Sequence, residues 1–387
     1  MVIVTIIIFL IVLAVLIFVH ELGHFLFARM AGIRVDAFKI GFGPKIFAWK
    51  RGETEYGLNL IPFGGFVKIH GENPDDESIS GPDAVRSFVN KPRWKQALVL
   101  LAGILFNFIF AWLLYSGAFA VGVTATTDGF EKYVADFTNP RIMITDVAVG
   151  TPAQKAGLAA GDVIKEVSVP AFVSSSNKNL TSTSKDIGGA NGSPLTIESI
   201  QNAINSSQGA PITFLYLRSG KPASTTVAAV TGVVADKYAI GIAMDNVVTL
   251  KLPIFSALWE GLNYTGVMIQ QTAVGLYNFI GNIFHGAAKL SDVSGPVGIA
   301  GIVGNAAQMG FLYLVMITAL ISINLGVINL IPFPALDGGR VLFVLIEGVI
   351  RRRISPKFTN WVNLIGFGLL MLLMIVVTFN DVVKLFK

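Results

Sequence analysis

Long apolar runs, separated by more polar stretches, dominate the pattern of this chain. Between residues 2 and 19, Thr5 is the only residue that is not apolar. Three later segments are similarly apolar, and each reaches or approaches the roughly 20 residues that a helix needs to cross a bilayer. The pattern therefore predicts an α-helical polytopic membrane protein with four transmembrane helices, at 2–27, 97–123, about 311–331 and 361–379.

The first apolar run has a second interpretation, a cleaved secretory signal peptide. Such a peptide has a basic segment before its apolar core and a small-residue cleavage site after it. No basic residue precedes His20, no A-x-A pattern follows the run, and cleavage would fall at a histidine pair. We therefore expect this segment to be retained as the first span.

Residues 34–72, between the first two spans, are rich in glycine and aromatic residues. Their short β-prone runs are separated by Gly and Pro, which predicts a small β-hairpin sheet. The apolar character of this segment suggests that it dips toward the membrane, which is allowed where its backbone is paired or buried in protein. An ordinary cytoplasmic hairpin loop is the alternative, and the sequence does not decide between the two.

Residues 124–250 have the pattern of a small globular domain with short strands and helices. Residues 150–164 predict a turn, a short helix, a glycine turn and a strand. Later elements are expected at 197–204 (helix), 212–217 and 225–230 (strands), with a surface loop rich in Ser, Thr, Asn and Gly at 174–193.

The chain becomes apolar again after Lys251, but aromatic and polar residues are mixed through 252–284. This mixture favours an amphipathic helix along the outer membrane interface, with a fifth span as the alternative. The Gly- and Pro-containing segment 294–300 then predicts a helix break before the third span. Residues 251–310 are thus expected to link the two parts of a membrane core, 1–123 and 311–387.

Composition agrees with a membrane protein, because 53% of the 387 residues are hydrophobic and only 14% are charged. The net charge of +5 is not arranged as a basic stripe interleaved with aromatic residues, which argues against nucleic-acid binding. Cysteine is absent, which excludes disulfides, thiolate metal ligands and cysteine nucleophiles.

The basic residues also predict an orientation. Eleven Lys and Arg residues fall within residues 29–95, and Arg351, Arg352 and Arg353 form a second cluster. Because such clusters stay on the cytoplasmic side, both of these links are predicted to be cytoplasmic. Both termini and the 124–250 domain are then expected on the extracytoplasmic side.

Half of the four histidines lie in one pentapeptide, His20-Glu21-Leu22-Gly23-His24, at the end of the first apolar run. Imidazoles four residues apart share one helix face and can bind one zinc ion. The glutamate between them can reach a water at the metal and act as a general base. The motif therefore predicts a catalytic Zn²⁺ site on a membrane helix.

A catalytic zinc site needs a third protein ligand. Asp337 is the best candidate because it follows a proline-rich break, and a carboxylate inside a bilayer is costly unless it is paired or metal-bound. A helix-capping aspartate is the alternative. The predicted orientation brings Asp337 to the same inner-leaflet depth as His20 and His24. His70 and His285 lie in the links and are expected to be surface histidines.

Asn107 and Asn329 are the other costly polar residues predicted at membrane depth. Either amide can hydrogen-bond the backbone of an extended substrate, or simply another helix. Substrate contact is favoured for Asn329, and Asn107 is a second candidate for the same role.

Together these residues resemble a known family. The His20–His24 pentapeptide and the N-x-x-P-x-P-x-L-D-G pattern at 329–338 are similar to motifs of the site-2 protease family of intramembrane zinc metalloproteases. The bacterial regulator-of-sigma-E protease branch is most similar, because segments 41–44, 63–68 and 294–300 also resemble it. The resemblance implies zinc ligands at His20, His24 and Asp337, catalysis by Glu21, a substrate role for Asn329 and a membrane-associated β-hairpin at 41–68.

Residues 150–164 of the inserted domain resemble a PDZ domain. Ile240-Gly241-Ile242 is comparable with the Φ-Gly-Φ strand that opens an ordinary PDZ domain, but here it comes at the end, as in the circularly permuted domains of this family. Many relatives carry two PDZ domains, whereas this chain has room for one. The second span also departs from the family's A-G-P-x-x-N pattern, because Ile104 stands in place of the proline.

The resemblance thus implies a site-2 protease of the bacterial cytoplasmic (inner) membrane that cuts single-span membrane proteins in regulated intramembrane proteolysis. The resemblance implies anti-sigma factors or remnant signal peptides as substrates, with a peptide or substrate segment bound at an extracytoplasmic α+β PDZ domain. A catalytically idle PDZ-containing scaffold is one alternative, against which the intact His/Glu/His/Asp set argues. A transporter is another, against which the lack of repeat symmetry between the halves argues.

Overall fold

The computed structural model describes residues 2–72, 76–126, 130–169, 185–187, 195–218, 220–234, 237–286 and 293–385. The chain folds into two compact units. One comprises Met1–Ala118 and Ile254–Lys387, and the other is the intervening segment Phe119–Pro253.

The helices, in chain order, are α1 (Val2–Met30), α2 (Asp76–Ser80), α3 (Arg93–Val121), α4 (Pro152–Lys155), α5 (Ile197–Ser206), α6 (Ile254–Phe284), α7 (Pro296–Met309), α8 (Phe311–Leu330), α9 (Asp337–Ile350) and α10 (Pro356–Leu385). The strands are β1 (Val35–Arg51), β2 (Thr54–Ile69), β3 (Val123–Thr126), β4 (Phe137–Val147), β5 (Val163–Val169), β6 (Lys185–Ile187), β7 (Pro211–Arg218), β8 (Lys221–Ala228), β9 (Val230–Val234), β10 (Lys237–Ala239) and β11 (Ile242–Leu250).

Four helices in the described part of the chain are long and apolar enough to cross a membrane: α1, α3, α8 and α10. They confirm that the four apolar segments of the sequence form helices of membrane-spanning length. Three of them are longer than predicted, because a helix continues past its apolar stretch into polar residues. Helix α3, for example, begins at Arg93, and α10 begins at Pro356, where proline's fixed φ suits a first helical position.

Helix α6 forms over the segment where an amphipathic helix is predicted, and it is not among these four. It packs against α3, where the Tyr115 and Tyr264 rings meet edge-on with centroids 4.9 Å apart. It also contacts α8, because Thr272 Oγ1 donates a hydrogen bond of 3.1 Å to Asn324 Oδ1. Whether α6 lies on or crosses the membrane stays a prediction.

Helix α7 forms where the sequence predicts only a break. Pro296 stands at its first turn, directly after Gly295, and proline's missing N–H costs nothing at that position. Buried Val303 packs with Phe9, Val12 and Leu16 of α1. The Gly-Pro pair therefore starts a helix here, and the partner that stabilises it is far away in sequence.

Strands β1 and β2 form the predicted antiparallel hairpin, but its pairing is more extensive than a simple hairpin. Phe38 in β1 is aligned with both Tyr56 and Val67 of β2, so the start of β1 is paired on both sides. The resulting small sheet contacts α1, because Gly65 lies against Ile17 and the Cγ atom of Glu21. Association of the hairpin with a membrane stays a prediction.

The inserted unit contains an antiparallel sheet with the order β3-β11-β4-β5-β7-β8, and β6 pairs with β5. Helices α4 and α5 belong to the same unit, and their core includes the fully buried residues Ile144, Ile200, Ile212 and Phe214. A capping box at Thr196 starts α5. The elements α5, β7 and β8 lie where the sequence predicts a helix and two strands, and most of the predicted loop at 174–193 lies outside the described residues.

Within this unit, an ion pair joins the end of β7 to the residue before β5. The buried carboxylate of Asp162 accepts hydrogen bonds from Arg218 Nε at 2.8 Å and Arg218 Nη2 at 2.6 Å. These hydrogen bonds raise the pKa of Arg218 above its ordinary value. The ends of the unit also lie side by side, because the Leu252 N–H donates to the Phe119 carbonyl at 2.9 Å.

Candidate metal centre

Three side chains from two helices meet at one point in the first unit. His20 and His24 lie one turn apart on α1, and Asp337 is the first residue of α9. Asp337 Oδ2 lies 3.1 Å from His20 Nε2 and 3.3 Å from His24 Nε2. The two Nε2 atoms are 3.3 Å apart. The three atoms therefore form a nearly equilateral triangle.

This triangle has the size of one face of a zinc coordination tetrahedron. With bonds of about 2.0–2.2 Å, tetrahedral zinc holds its ligand atoms about 3.3–3.5 Å apart. Asp337 Oδ2 is buried and accepts no well-directed hydrogen bond from any described residue. A buried acceptor without a hydrogen-bond partner is expected where the atom binds a metal ion. Among the described residues, these three are the one group of histidine and acidic side chains able to share an ion.

A tight loop between α8 and α9 places Asp337. Ala335 has a positive φ of 72°, and its N–H donates to Asn363 Oδ1 of α10 at 3.2 Å. A side chain at Gly338 would come within 2.3 Å of the Ile331 carbonyl oxygen, and Gly339 is equally close to Phe333. Two glycines therefore allow α9 to start directly against the end of α8, which brings Asp337 to the histidines.

Helix α3 also packs against the two imidazoles. The His24 Nδ1–H donates to the Val99 carbonyl at 2.9 Å. A Cβ atom at Gly103 would lie only 2.4 Å from His24 Nε2, so the absence of a side chain leaves room for the ring. Asn107 Nδ2 lies 3.1 Å from His20 Nδ1. Asn107 is thus brought to the metal centre, but against a histidine ring, and its predicted substrate role stays a prediction.

Glu21 lies on α1 between the histidines and is half-buried. Its side chain makes no hydrogen bond or ion pair with another described residue. A Cβ atom at Gly65 of β2 would lie 3.5 Å from the Cγ atom of Glu21, so a strand runs beside this side chain. The carboxylate is therefore available for proton transfer next to the triangle.

Asn329 occupies the last turn of α8, half-buried and without a hydrogen-bond partner among the residues that the structure describes. His70 and His285 are not part of the ligand group. His285 lies at the end of α6, where its Nδ1–H donates to the Gly281 carbonyl at 2.7 Å.

The sequence did not predict the parts played by Val99, Gly103 and Arg340. Val99 acts through its backbone, for which no sequence signal exists, and Gly103 is marked only as a glycine inside an apolar helix. Arg340, one turn beyond Asp337, forms an ion pair with Glu72, just after β2. This pair joins the helix that carries Asp337 to the segment that follows the sheet.

Comparison with known proteins identifies the family of this chain. The sequence model of Peptidase family M50 matches residues 8–373. A protein of Clostridium perfringens is 34% identical over 369 residues, which is 95% of each chain. Zinc metalloproteases named RasP, from Shouchella clausii and Geobacillus kaustophilus, are 31% and 33% identical, covering 99% of this chain and 100% and 98% of their own lengths. The predicted resemblance is confirmed, and the chain belongs to peptidase family M50, the site-2 protease family.

Proposed function

We propose that this membrane peptidase uses Zn²⁺ held by His20, His24 and Asp337 to hydrolyse peptide bonds within transmembrane segments of single-span membrane proteins. The single observation that supports this most is the ligand triangle beside Glu21, two of whose members lie on α1, a helix long and apolar enough to cross a membrane. The names of the RasP relatives, which are zinc metalloproteases, support the choice of metal.

Zinc and the residues of the chain have separate roles in the proposed reaction. Bound zinc supplies Lewis acidity, polarising the substrate carbonyl and making water more acidic. Glu21 accepts the proton of the attacking water at its carboxylate and delivers it to the nitrogen of the leaving amine. Asn329, which has no partner of its own among the described residues, donates its amide N–H to a carbonyl of the extended substrate.

The substrates proposed are anti-sigma factors or remnant signal peptides, whose single span would reach the site from the lipid. The bacterial relatives support a location in the cytoplasmic membrane, and the basic links at 29–95 and 351–353 support a cytoplasmic side for those segments. The unit 119–253 is proposed as one extracytoplasmic PDZ domain that binds a peptide or substrate segment. The exposed side chains of Phe47 and Trp49 on β1 support a hairpin that contacts lipid.

The test uses full-length protein purified in detergent, assayed for zinc content and for cleavage of a fluorescently labelled single-span substrate. We expect Glu21→Gln to keep zinc and to lose cleavage, because the ligands are intact and the proton acceptor is gone. Glu53→Gln, at an exposed glutamate outside the site, is the control that keeps both. If Glu21→Gln cuts as well as the native protein, the proposed mechanism is wrong. If the native protein holds zinc and cuts nothing, a catalytically idle scaffold is favoured.

A further inference from the structure

Helix α3 presents three positions, each one turn apart, to the two histidines of α1. The Val99 carbonyl meets His24, Gly103 lies against both rings, and Asn107 meets His20. Because α1 and α3 run in opposite directions here, the earlier histidine of α1 meets the later position on α3. The outer nitrogen, Nδ1, of each ring is therefore directed at a polar group of α3.

The position of the ring proton decides whether a neutral histidine can bind a metal through Nε2. A neutral imidazole that binds zinc through Nε2 must carry its proton on Nδ1, and a partner that accepts this proton fixes the ring. For His24 that partner is the Val99 carbonyl, at 2.9 Å. For His20 the only described polar group within hydrogen-bond distance of Nδ1 is the Asn107 amide, at 3.1 Å.

Asn107 can accept this proton through its oxygen. Its side chain is fully buried, and its Oδ1 atom has no hydrogen-bond partner among the described residues. The two ends of a carboxamide have almost the same shape, so a half-turn of the amide exchanges Nδ2 and Oδ1 without moving neighbouring atoms. The backbone is also held, since Ser322 Oγ of α8 donates to the Asn107 carbonyl at 2.8 Å.

We propose that Asn107 is a positioning residue for the metal centre, whose Oδ1 accepts the His20 Nδ1–H and holds His20 Nε2 toward the metal. This inference rests on the zinc site of the proposed function, and it gives Asn107 a role different from substrate binding. Outer partners of metal-binding histidines typically change metal affinity by about 10- to 100-fold when they are removed.

The experiment compares Asn107→Leu and Asn107→Asp in the full chain in detergent. Zinc affinity is measured by competition with a coloured chelator, and the visible spectrum is recorded after loading with Co²⁺. Asn107→Leu removes the acceptor, and we expect a loss in affinity of about 10- to 100-fold. Asn107→Asp keeps an acceptor and adds charge, so it restores affinity and shifts the Co²⁺ absorption. The same substitutions at Asn278, exposed on α6, are the controls and change neither.

Each outcome of this experiment either supports or contradicts the positioning role of Asn107. If Asn107→Leu binds zinc as the native protein does, or if Asn107→Asp leaves the Co²⁺ spectrum unchanged, the positioning role is wrong. A substrate-binding Asn107 would instead raise the KM for cleavage in both variants with zinc affinity intact. If Asn107→Leu does not fold, the Co²⁺ spectrum of Asn107→Asp still tests the positioning role. The metal readouts do not depend on proteolysis, so failure of the proposed peptidase activity is recognised separately.

Discussion

At the scale of single residues, the geometry of the candidate metal centre depends on a missing side chain as well as on its candidate ligands. Gly103 of α3 lies against the face of the His20 and His24 rings, and a Cβ atom there would lie 2.4 Å from His24 Nε2 and 2.9 Å from His20 Cε1. These distances are far shorter than van der Waals contact. Because the triangle of ligand atoms has edges of only 3.1–3.3 Å, a small displacement of either ring changes its fit to a metal.

Gly103→Ala should therefore weaken zinc binding by about 10-fold or more, the size of effect seen when ligand orientation is lost. The measurement is chelator competition in detergent, together with the cleavage assay. Gly117→Ala on the same helix is the matched control, because nothing lies within 4 Å of a Cβ atom there. The control should bind zinc normally and gain up to about 1 kcal/mol in stability. Equal zinc affinity in the two variants would contradict this account.

At the scale of elements, the short helices α7 and α9 are held by their partners and not by their own sequence. Helix α9 starts at a Gly-Gly pair that has low helix propensity, and it is positioned by α8. Helix α7 starts beside α10, where buried Asp381 accepts a hydrogen bond from the Gly298 N–H at 2.8 Å. An acceptor at the first turn of a helix satisfies a donor that the helix itself leaves free.

Removing this acceptor should loosen α7. Asp381→Ala is expected to cost about 1 kcal/mol, as for a lost helix cap. Thermal unfolding in detergent should show a midpoint lower by about 2–4 °C. Asp381→Asn retains an acceptor oxygen at the same place and should lose much less. If both variants unfold at the native temperature, Asp381 does not stabilise α7.

At the scale of the whole molecule, the chain is a membrane unit interrupted by an inserted unit. The candidate metal ligands come from both sides of the insertion, since His20 precedes it and Asp337 follows it. The insertion begins and ends at neighbouring points, as the hydrogen bond between Leu252 N–H and the Phe119 carbonyl shows. Units whose ends lie side by side can be inserted or removed with little strain on the rest of the chain.

Replacing residues 120–251 by a short Gly/Ser linker should leave the metal centre intact, because none of its ligands or their α3 partners is removed. The measurements are zinc stoichiometry and size-exclusion behaviour in detergent, compared with the full chain and with a His24→Ala variant. Zinc retention equal to the full chain is the expected result. Loss of zinc to the His24→Ala level would mean that the centre needs the inserted unit.

The sequence by itself determined the four long apolar helices and the candidate ligands. Apolar runs of bilayer length allow almost no other structure, since a backbone in lipid must satisfy its own hydrogen bonds. His20 and His24 are neighbours on any helix, and the cost of a carboxylate at membrane depth singled out Asp337. The hairpin and several elements of the inserted unit were likewise marked by Gly and Pro punctuation.

The tertiary structure alone decided what surrounds those residues. Helix α7, the double pairing of β1 and the α3 contacts of the imidazoles all depend on chain segments far apart in sequence. Local patterns carry no information about such partners. Asn107 shows the difference most clearly, because the sequence identified a costly polar residue and only the packing of α1 on α3 placed it against His20 Nδ1. Depth and periodicity are local properties of the chain, whereas the distance between two side chains on different helices is not.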